Sequence, residues 1–448
     1  MAVIFISNLP SLAAEMGDRM HLSPGALEAS EIFAQQVLWG ASPGDIVILP
    51  TRPSREFLHY VTDLLEFKAE SLTISALHYG GGDARSNSPS ASYADFLEDM
   101  RIRIKETGVD QGCPSYFDIA TADLLQALGL HRTTPGFNFC SQGGTTLLNS
   151  KVNFRAIALG AGLPVPEGSV ADTPERLSSD VWRQLNAGRQ AIVKQEFNTG
   201  GFGNLILSSR KTGSSLGAAR KAVLSTREQV VNYISDHWMQ YSNGGRSRVI
   251  IERYMENSSP VYAEFAIKEG GTHLLHCGEI RMNPVYSGVE VPIKRHHGKN
   301  IPEFLKGSEK IAKAAFTLGY RGYMSVDAIF SADGHLLFNE VNARSGGATH
   351  IHHIGERIIG SDYMNRCLLV GNGLAEADFP DLSLHLYNYG LSYDRRRRAG
   401  VILTSDITRG GLFEYCVTAD SSEECRDIEY RFLGILKGVP KVDKKPQR

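Results

Sequence analysis

The sequence predicts a multidomain α/β protein, and three observations carry that prediction. Residues 1–145 alternate short apolar runs, AVIFIS, GDIVILP and SLTISAL, with stretches such as GALEASEIFAQQVLWG whose apolar positions recur at helical spacing, the pattern of a parallel α/β domain. Two strand-like runs then flank a glycine loop in QAIVKQEFNTGGFGNLILSS. Further on, the alternating runs YMSVDAIF and LLFNEVN are joined by Asp333-Gly334, a dipeptide suited to a two-residue hairpin turn. A chain of 448 residues is long for one core, so two to four packed domains are expected.

Composition narrows the function class. With 42% hydrophobic and 21% charged residues and a net charge of -2, the chain lacks the basic footprint that nucleic acid or an anionic membrane requires. The six cysteines are scattered without a Cys-x-x-Cys pair, which fits free thiols in a reducing cytosol. MAVIFIS has no positive n-region, and no apolar run approaches the roughly 20 residues of a membrane span, so a cytoplasmic protein is expected. The first apolar run is followed by NLPS rather than G-x-G-x-x-G, which argues against a bound NAD.

In order along the chain, residues 80–92, GGGDARSNSPSAS, read as a mobile loop. A helix starts at Asn149 or Ser150 and stops at the glycines before Pro-x-Pro, with a domain boundary just upstream, near residue 146. After the glycine loop come a helical stretch to about residue 240, the strands SRVIIERYM, PVYAEFAIK and HLLHCGEIRM, and a helix from about Pro302 to Leu318. The segment beyond residue 366 holds AGVILTSDITRGGLFEYCVTA and ends in a tail, KGVPKVDKKPQR, expected to be disordered. The domain limits that follow are 1–145, 146–255, 256–365 and 366–448.

In FNEVNARSGG, alternate positions place Glu340, Asn342 and Arg344 on one face of a strand. A two-residue turn at Asp333-Gly334 sets Asp327 directly opposite Glu340. Like charges on opposed positions, about 5 Å apart, repel by roughly 3 kcal/mol at an effective dielectric near 20. A divalent cation offsets that repulsion, and Mg2+ suits the task because it takes hard oxygens from one or two carboxylates together with phosphates. Asn342 adds a neutral oxygen, and Arg344 can stabilise charge on a transferring phosphoryl group or acyl intermediate. No G-x-x-x-x-G-K-[ST] loop is present. Gly200, Gly201 and Gly203 can instead close their amides over phosphates, with Lys151 and Lys194 as point charges, and the backbone of Arg253, Tyr254 and Met255 can meet an adenine edge.

This ordering of lysine, lysine with glycine loop, E-R-Y-M-E-N hinge and terminal D…E-x-N-x-R strand pair resembles the ATP-grasp superfamily over about residues 146–365, and within it the peptide ligases of the pheganomycin type. The resemblance implies an N-terminal parallel α/β pre-ATP-grasp domain (1–145), an ATP-grasp core of α+β subdomains, made of a lid with the glycine loop (146–255) and a metal-bearing half (256–365), and a C-terminal extension. It implies ATP and Mg2+ as cofactors, with Lys151, Lys194, Gly200, Gly201, Gly203, Glu252, Tyr254 and Met255 on the nucleotide and Glu264 approaching the ribose. Asp327, Glu340 and Asn342 match magnesium ligands, Arg344 the catalytic arginine, and Arg281 a second cation near the substrate. Ser345, Gly346 and Gly347, opening a helix, would hold a substrate carboxylate.

The implied reaction is peptide-bond formation of the kind used in peptide antibiotic biosynthesis. An amino-acid-derived carboxylic acid is phosphorylated by ATP to an acylphosphate, and the amino end of a peptide displaces phosphate. Partners are then a small acid and a peptide, with no nucleic acid, no membrane, and a homo-oligomer left open. Two other functions remain open, an ATP-grasp carboxylase and a nucleotide-binding sensor without catalysis. His350 and His353 at helical spacing lack an accompanying acid for a metal site, and Arg395–Arg398 reads as a solvated run. His296 and His297 read as part of a polar loop.

Overall fold

A computed structural model describes residues 2–8, 30–77, 91–211, 213, 215–294, 298, 300–407 and 411–436. Residues 80–90 of the small polar loop, His296, His297 and the tail 437–448 lie outside the described residues. No helix among the described residues is long and apolar enough to cross a membrane.

The apolar runs at the N-terminus form β1 (Ile4–Ile6), β2 (Ile46–Leu49), β3 (Thr73–Ala76) and β4 (Gly112–Pro114), all parallel in the order β3-β2-β1-β4. Ser7 and Ser115 follow β1 and β4, so the carboxyl ends of this sheet point toward the rest of the molecule, where open α/β sheets form their crevices.

The second sheet holds β5 (Gly168–Ala171), β6 (Ala191–Gln195), β7 (Asn204–Ser208), β8 (Arg220–Val223) and β9 (Val249–Arg253), in the order β5-β9-β6-β7-β8. Ala191, Val193, Leu205, Leu207, Val249 and Ile251 turn one face toward the helices Pro174–Asn186 and Arg227–Tyr241 and build a separate core with Leu177, Val181, Val230 and Ile234. The strand period of two therefore puts Ile192, Lys194 and Glu252 on the opposite face. β8 lies where the sequence predicts the start of a helical stretch. The helix before this sheet, Lys151–Gly160, is capped by Ser150, whose Oγ accepts the Asn153 amide at 3.2 Å. Its Phe154 and Ala158 pack with Phe304 and Phe338 in the central core rather than with the lid.

The third sheet has eight strands: β10 (Ser259–Lys268), β11 (Gly271–Met282), β12 (Tyr286–Val291), β13 (Gly322–Phe330), β14 (Leu336–Asn342), β15 (Cys367–Leu374), β16 (Gly400–Leu403) and β17 (Leu412–Ala419). Their order is β14-β13-β10-β11-β12-β15-β17-β16. The C-terminal segment thus continues the sheet that carries the two carboxylates. Its Val401 and Phe413 share a core with Leu38 and Trp39 of the N-terminal domain. All six cysteines are free thiols, and Arg395, Arg397 and Arg398 make surface ion pairs with Glu66, Glu424 and Asp362.

The β13-β14 hairpin reaches its register by a route the sequence does not predict. Phe330 pairs with Leu336, and the Ser331 amide donates to the His335 carbonyl at 2.9 Å, so the loop has three residues, Ala332 to Gly334, not two. Gly334 takes the left-handed conformation, φ 86°, that such a loop requires. A β-bulge at Asn339 then adds one residue back, and Asp327 faces Glu340 as the two-residue turn would have had it. The bulge has a second effect. It reverses the alternation, so Phe338 packs into the core, stacked 6.2 Å from Phe304, while Glu340 faces the other way.

Gly307, on the helix Ile301–Leu318 beneath this strand, has no room for a side chain, because an added Cβ would lie 2.3 Å from Phe338 Cζ. Gly307→Ala is expected to cost about 1–3 kcal/mol by overpacking, read as a lower denaturation midpoint; an unchanged midpoint would contradict this packing.

Candidate active site

Cross-strand neighbours share a face, so the pairing lays out a platform row by row. Tyr262, Asp327 and Glu340 form one row across β10, β13 and β14, and Glu264, Ser325 and Asn342 form the next. Above them lies a cavity of about 530 Å3, in the size range of small-molecule sites, bounded by the N-terminal domain, the lid, the central sheet and β17.

The two carboxylates differ in environment. Burial, and then the charge of Glu340, push the Asp327 carboxyl well above its usual range. Burial also opposes ionisation of Glu340, but Lys151, aided by Lys194 and Arg344, outweighs it and holds that carboxyl below its usual range. Lys151 Nζ sits 2.8 Å from Glu340 Oε2. Ser325 Oγ donates to Asp327 Oδ1 at 3.1 Å, and Asn342 Nδ2 donates to Oδ2 at 3.0 Å. Arg344 reaches back to Asn342 Oδ1 and Asn149 Oδ1, each at 2.5 Å, and to Thr199 Oγ1 at 3.2 Å.

Asn149 also accepts the Ala343 amide at 3.1 Å, so it pins the turn that presents Arg344. Sequence reading assigns neither Asn149 nor Thr199 to the site, since a single Asn or Thr carries no local signal of a partner 195 or 145 positions away.

Two opposed carboxylates, one strained by the other's charge, supply hard oxygens that fit a divalent cation completed by phosphate, while the Asn342 amide turns its nitrogen to Asp327 and its oxygen to Arg344. Among the described residues no group of three or more His, Cys, Asp or Glu could hold a metal, so the remaining ligands would come from substrate and solvent.

The glycine loop rests on this platform. Asn198 accepts from Lys151 Nζ through its carbonyl, Thr199 accepts from Arg344, and Gly200 accepts the Tyr286 amide at 2.8 Å. Gly200 and Gly201 have φ of 63° and 86°, and a Cβ at Gly203 would lie 2.5 Å from Gln195 Oε1, so none of the three tolerates a side chain. The amides of Thr199, Phe202 and Asn204 are occupied within the loop, whereas those of Gly200, Gly201 and Gly203 have no partner among the described residues. Three free amides beside Lys151 are the makings of an anion cradle.

The hinge is more constrained than the sequence suggests. Glu252 is buried between Lys194, 2.7 Å away, and Arg155, so its carboxylate neutralises the lysine rather than facing a ligand freely. The amides of Arg253 and Tyr254 donate to Glu167 and Gln190, which leaves that of Met255 alone without a partner among the described residues. Pro166, Ile192, Leu216, Met255 and Ile329 line the apolar slot beside it.

Three sequence assignments are corrected by placement. Arg281 does not face the cavity: neighbours Ile280 and Met282 do, and Arg281 instead grips Glu429 of the helix Ser422–Leu436 through two bonds of 2.7 and 3.1 Å. Ser345 and Gly346 do not open the helix, which begins at Thr349 and spans six residues; the Ser345 amide donates to Ser115 and that of Gly346 to Thr349 Oγ1, leaving only the Gly347 amide free among the described residues. Glu264 lies away from the hinge. β10 leaves the hinge at Ser259, and five residues of strand, roughly 17 Å, carry Glu264 past the carboxylate row to the Arg344 end, too far for a ribose contact. There it is fully buried, bonded by Thr349 Oγ1 through Oε1, with Oε2 unpartnered among the described residues.

With this geometry the chain is recognisable as an ATP-grasp fold that opens with a pre-ATP-grasp domain. The family model described as "Pre ATP-grasp domain" matches residues 34–130, and "PGM1 C-terminal domain" matches 385–432. A sequence relative is L-propargylglycine--L-glutamate ligase of Streptantibioticus cattleyicolor, 24% identical over 229 residues, 47% of this chain and 44% of the relative, so the match spans less than half that protein's length. Among solved structures, N5-carboxyaminoimidazole ribonucleotide synthetase in complex with ADP superposes with a TM-score of 0.55 at 12% identity, covering 97% of each chain. The biotin carboxylase domain of Hydrogenobacter thermophilus 2-oxoglutarate carboxylase superposes at 0.54 and 13% identity, covering 96% of this chain and 89% of that one.

Burial pushes the Glu264 carboxyl up to about 7 from the usual 4.5, against the Thr349 bond and Arg344. The folded chain then binds more protons here than the unfolded chain between these values, so this group's contribution to stability is lost as pH rises through that window. The melting temperature of the ligand-free protein is expected to fall more steeply from about pH 5 to about pH 7.5 than that of Glu264→Gln; parallel profiles would contradict a buried carboxyl with a raised pKa.

Proposed function

We propose that the protein is an ATP-dependent, ADP-forming carboxylate-amine ligase that makes a peptide bond between an amino-acid-derived acid and the amino group of a peptide. The observation that carries this reading is the opposed pair Asp327 and Glu340, flanked by Lys151 and Arg344, under three glycines whose amides have no partner among the described residues. The ligase named among its relatives and the C-terminal family match support the same reading.

Asp327, Glu340 and Asn342 would hold Mg2+, which when bound neutralises the triphosphate and polarises its γ-phosphoryl group. Met255 and the apolar slot would take the adenine, and Lys151, Lys194 and the amides of Gly200, Gly201 and Gly203 the phosphates. Arg344, beside the carboxylate row, would stand where the donor carboxylate oxygen meets the γ-phosphorus. The new O–P bond forms as the bond to ADP breaks, and the guanidinium stabilises the charge on the resulting acylphosphate. The amine then attacks the acyl carbon, phosphate leaves, and the nitrogen gives up a proton as the amide forms. The docked glycine loop excludes water from that intermediate. Six free thiols suit a cytoplasmic enzyme, and the ligase relative suits a place in peptide antibiotic biosynthesis.

The test is incubation with Mg-ATP and a pool of amino acids and short peptides, read by nucleotide analysis and mass spectrometry. ADP, phosphate and a new amide are expected; AMP with pyrophosphate, or ATP cleavage that depends on bicarbonate, would contradict the proposal. Glu340→Gln is expected to lower turnover by at least about 100-fold with the melting temperature little changed, and retained turnover would overturn the metal assignment.

A further inference from the structure

Two of the cysteines meet at the start of the last described helix. β17 runs antiparallel to β15 with Ala419 opposite Cys367, and the chain then turns into the helix Ser422–Leu436, where the Cys425 amide donates to the Ser421 carbonyl at 3.0 Å. That turn brings Cys425 back over Cys367. Cys425 Sγ lies 3.3 Å from the Cys367 carbonyl oxygen and 3.8 Å from that of Val417, and its S–H also donates to the Cys367 sulfur. Both side chains are buried, Cys425 completely, in the core that joins the C-terminal segment to the N-terminal domain. A disulfide needs its sulfurs about 2 Å apart, and thiols already in hydrogen-bond contact approach that separation by side-chain rotation.

The surroundings single out one sulfur as the nucleophile. The bond from Cys425, with help from Ser422 and the Arg426 guanidinium, holds the Cys367 thiol below its usual range, against burial and the charge of Glu290. The other cysteines go the opposite way. Burial pushes Cys113, Cys140 and Cys277 up to about 11 and raises Cys416 too, while Cys425 is raised first by its bond to Cys367 and then by burial. The thiolate is the reactive form, so a small oxidant that enters meets Cys367 as the attacking sulfur, with Cys425 in place to resolve it.

We infer that Cys367 and Cys425 form a peroxide-sensitive thiol pair that closes to a disulfide and staples the last described helix to β15. The Cys367 sulfur attacks one oxygen of hydrogen peroxide, the O–O bond breaks, and water leaves with the thiol's proton, which gives a sulfenic acid. Cys425 then attacks that sulfur, the S–O bond breaks, and a second water carries off the remaining thiol proton. Two electrons have passed from the sulfurs to the peroxide. The new bond spans 58 positions of the chain and fixes the helix whose Glu429 holds Arg281 on β11 and the Tyr415 hydroxyl. Neither cysteine lines the cavity, so this chemistry is independent of the ligase reading.

The test treats the full chain with hydrogen peroxide and maps it by mass spectrometry after digestion with trypsin and Glu-C, which cut after Arg366 and Glu424 and so separate Cys425 from Cys416. A peptide linking Cys367 to Cys425, lighter than the two thiols by two hydrogens, is expected, formed at least about tenfold faster than oxidation of the cavity-lining Cys113. The melting temperature is expected to rise by about 5 °C on linking and to return with dithiothreitol. Cys425→Ala is expected to leave Cys367 as a sulfenic acid that dimedone traps. No linkage, a link between other cysteines, no dimedone adduct, or a melting temperature that does not rise on linking would overturn the inference. Should Cys425→Ala fail to fold, Cys367→Ala, in which Cys425 is expected to lose its sensitivity to peroxide, and the wild-type peptide map still decide it.

Discussion

Two carboxylates brought face to face across β13 and β14 are the constraint around which the rest of the site is arranged. Left to themselves they would repel, and the structure answers with neighbours of opposite character. Lys151 neutralises Glu340 from the start of its helix, while Asp327 has only neutral donors, Ser325 and Asn342, and its proton affinity rises accordingly. The same lysine holds the carbonyl of Asn198, so the glycine loop is tied to the charge state of the platform beneath it. Arg344 makes the second tie, to Thr199. The opposed acids, the glycine loop and Arg344 are therefore one bonded unit.

The C-terminal segment belongs to the same argument. β15 to β17 extend the sheet that carries the carboxylates, and Arg281 with Glu429 and Tyr415 fastens the last helix across the back of it. Pairing with Gln36 also links β17 to the N-terminal domain. The cavity is closed by segments from both ends of the chain, which explains how residues far outside the nucleotide motifs reach its lining.

Much of this was legible in the sequence because it depends on local periodicity. Strands buried on alternate faces, the Ser150 cap and the glycine loop follow from spacing alone. What was not legible depends on partners. The register of Asp327 and Glu340 came out right although the turn is one residue longer than its dipeptide suggests, because the bulge at Asn339 compensates; neither feature has a local signature. Arg281 looked like a site residue because it is a cation near the motifs, and only the parity of β11 sends it to the other face. Glu264 was assigned to the ribose by resemblance, whereas β10 carries it past the row of Asp327 and Glu340 toward Arg344. β12 went unread because YSGVEV is short and broken by Gly288, whose close approach to Val370 appears only once β15 is beside it.

The most direct measurement is the anomalous scattering of Mn2+ in crystals grown with a non-hydrolysable ATP analogue. A peak within bonding distance of both Asp327 and Glu340 is the result this account predicts. Bound nucleotide with no peak there, or with the ion held by other side chains, would contradict it.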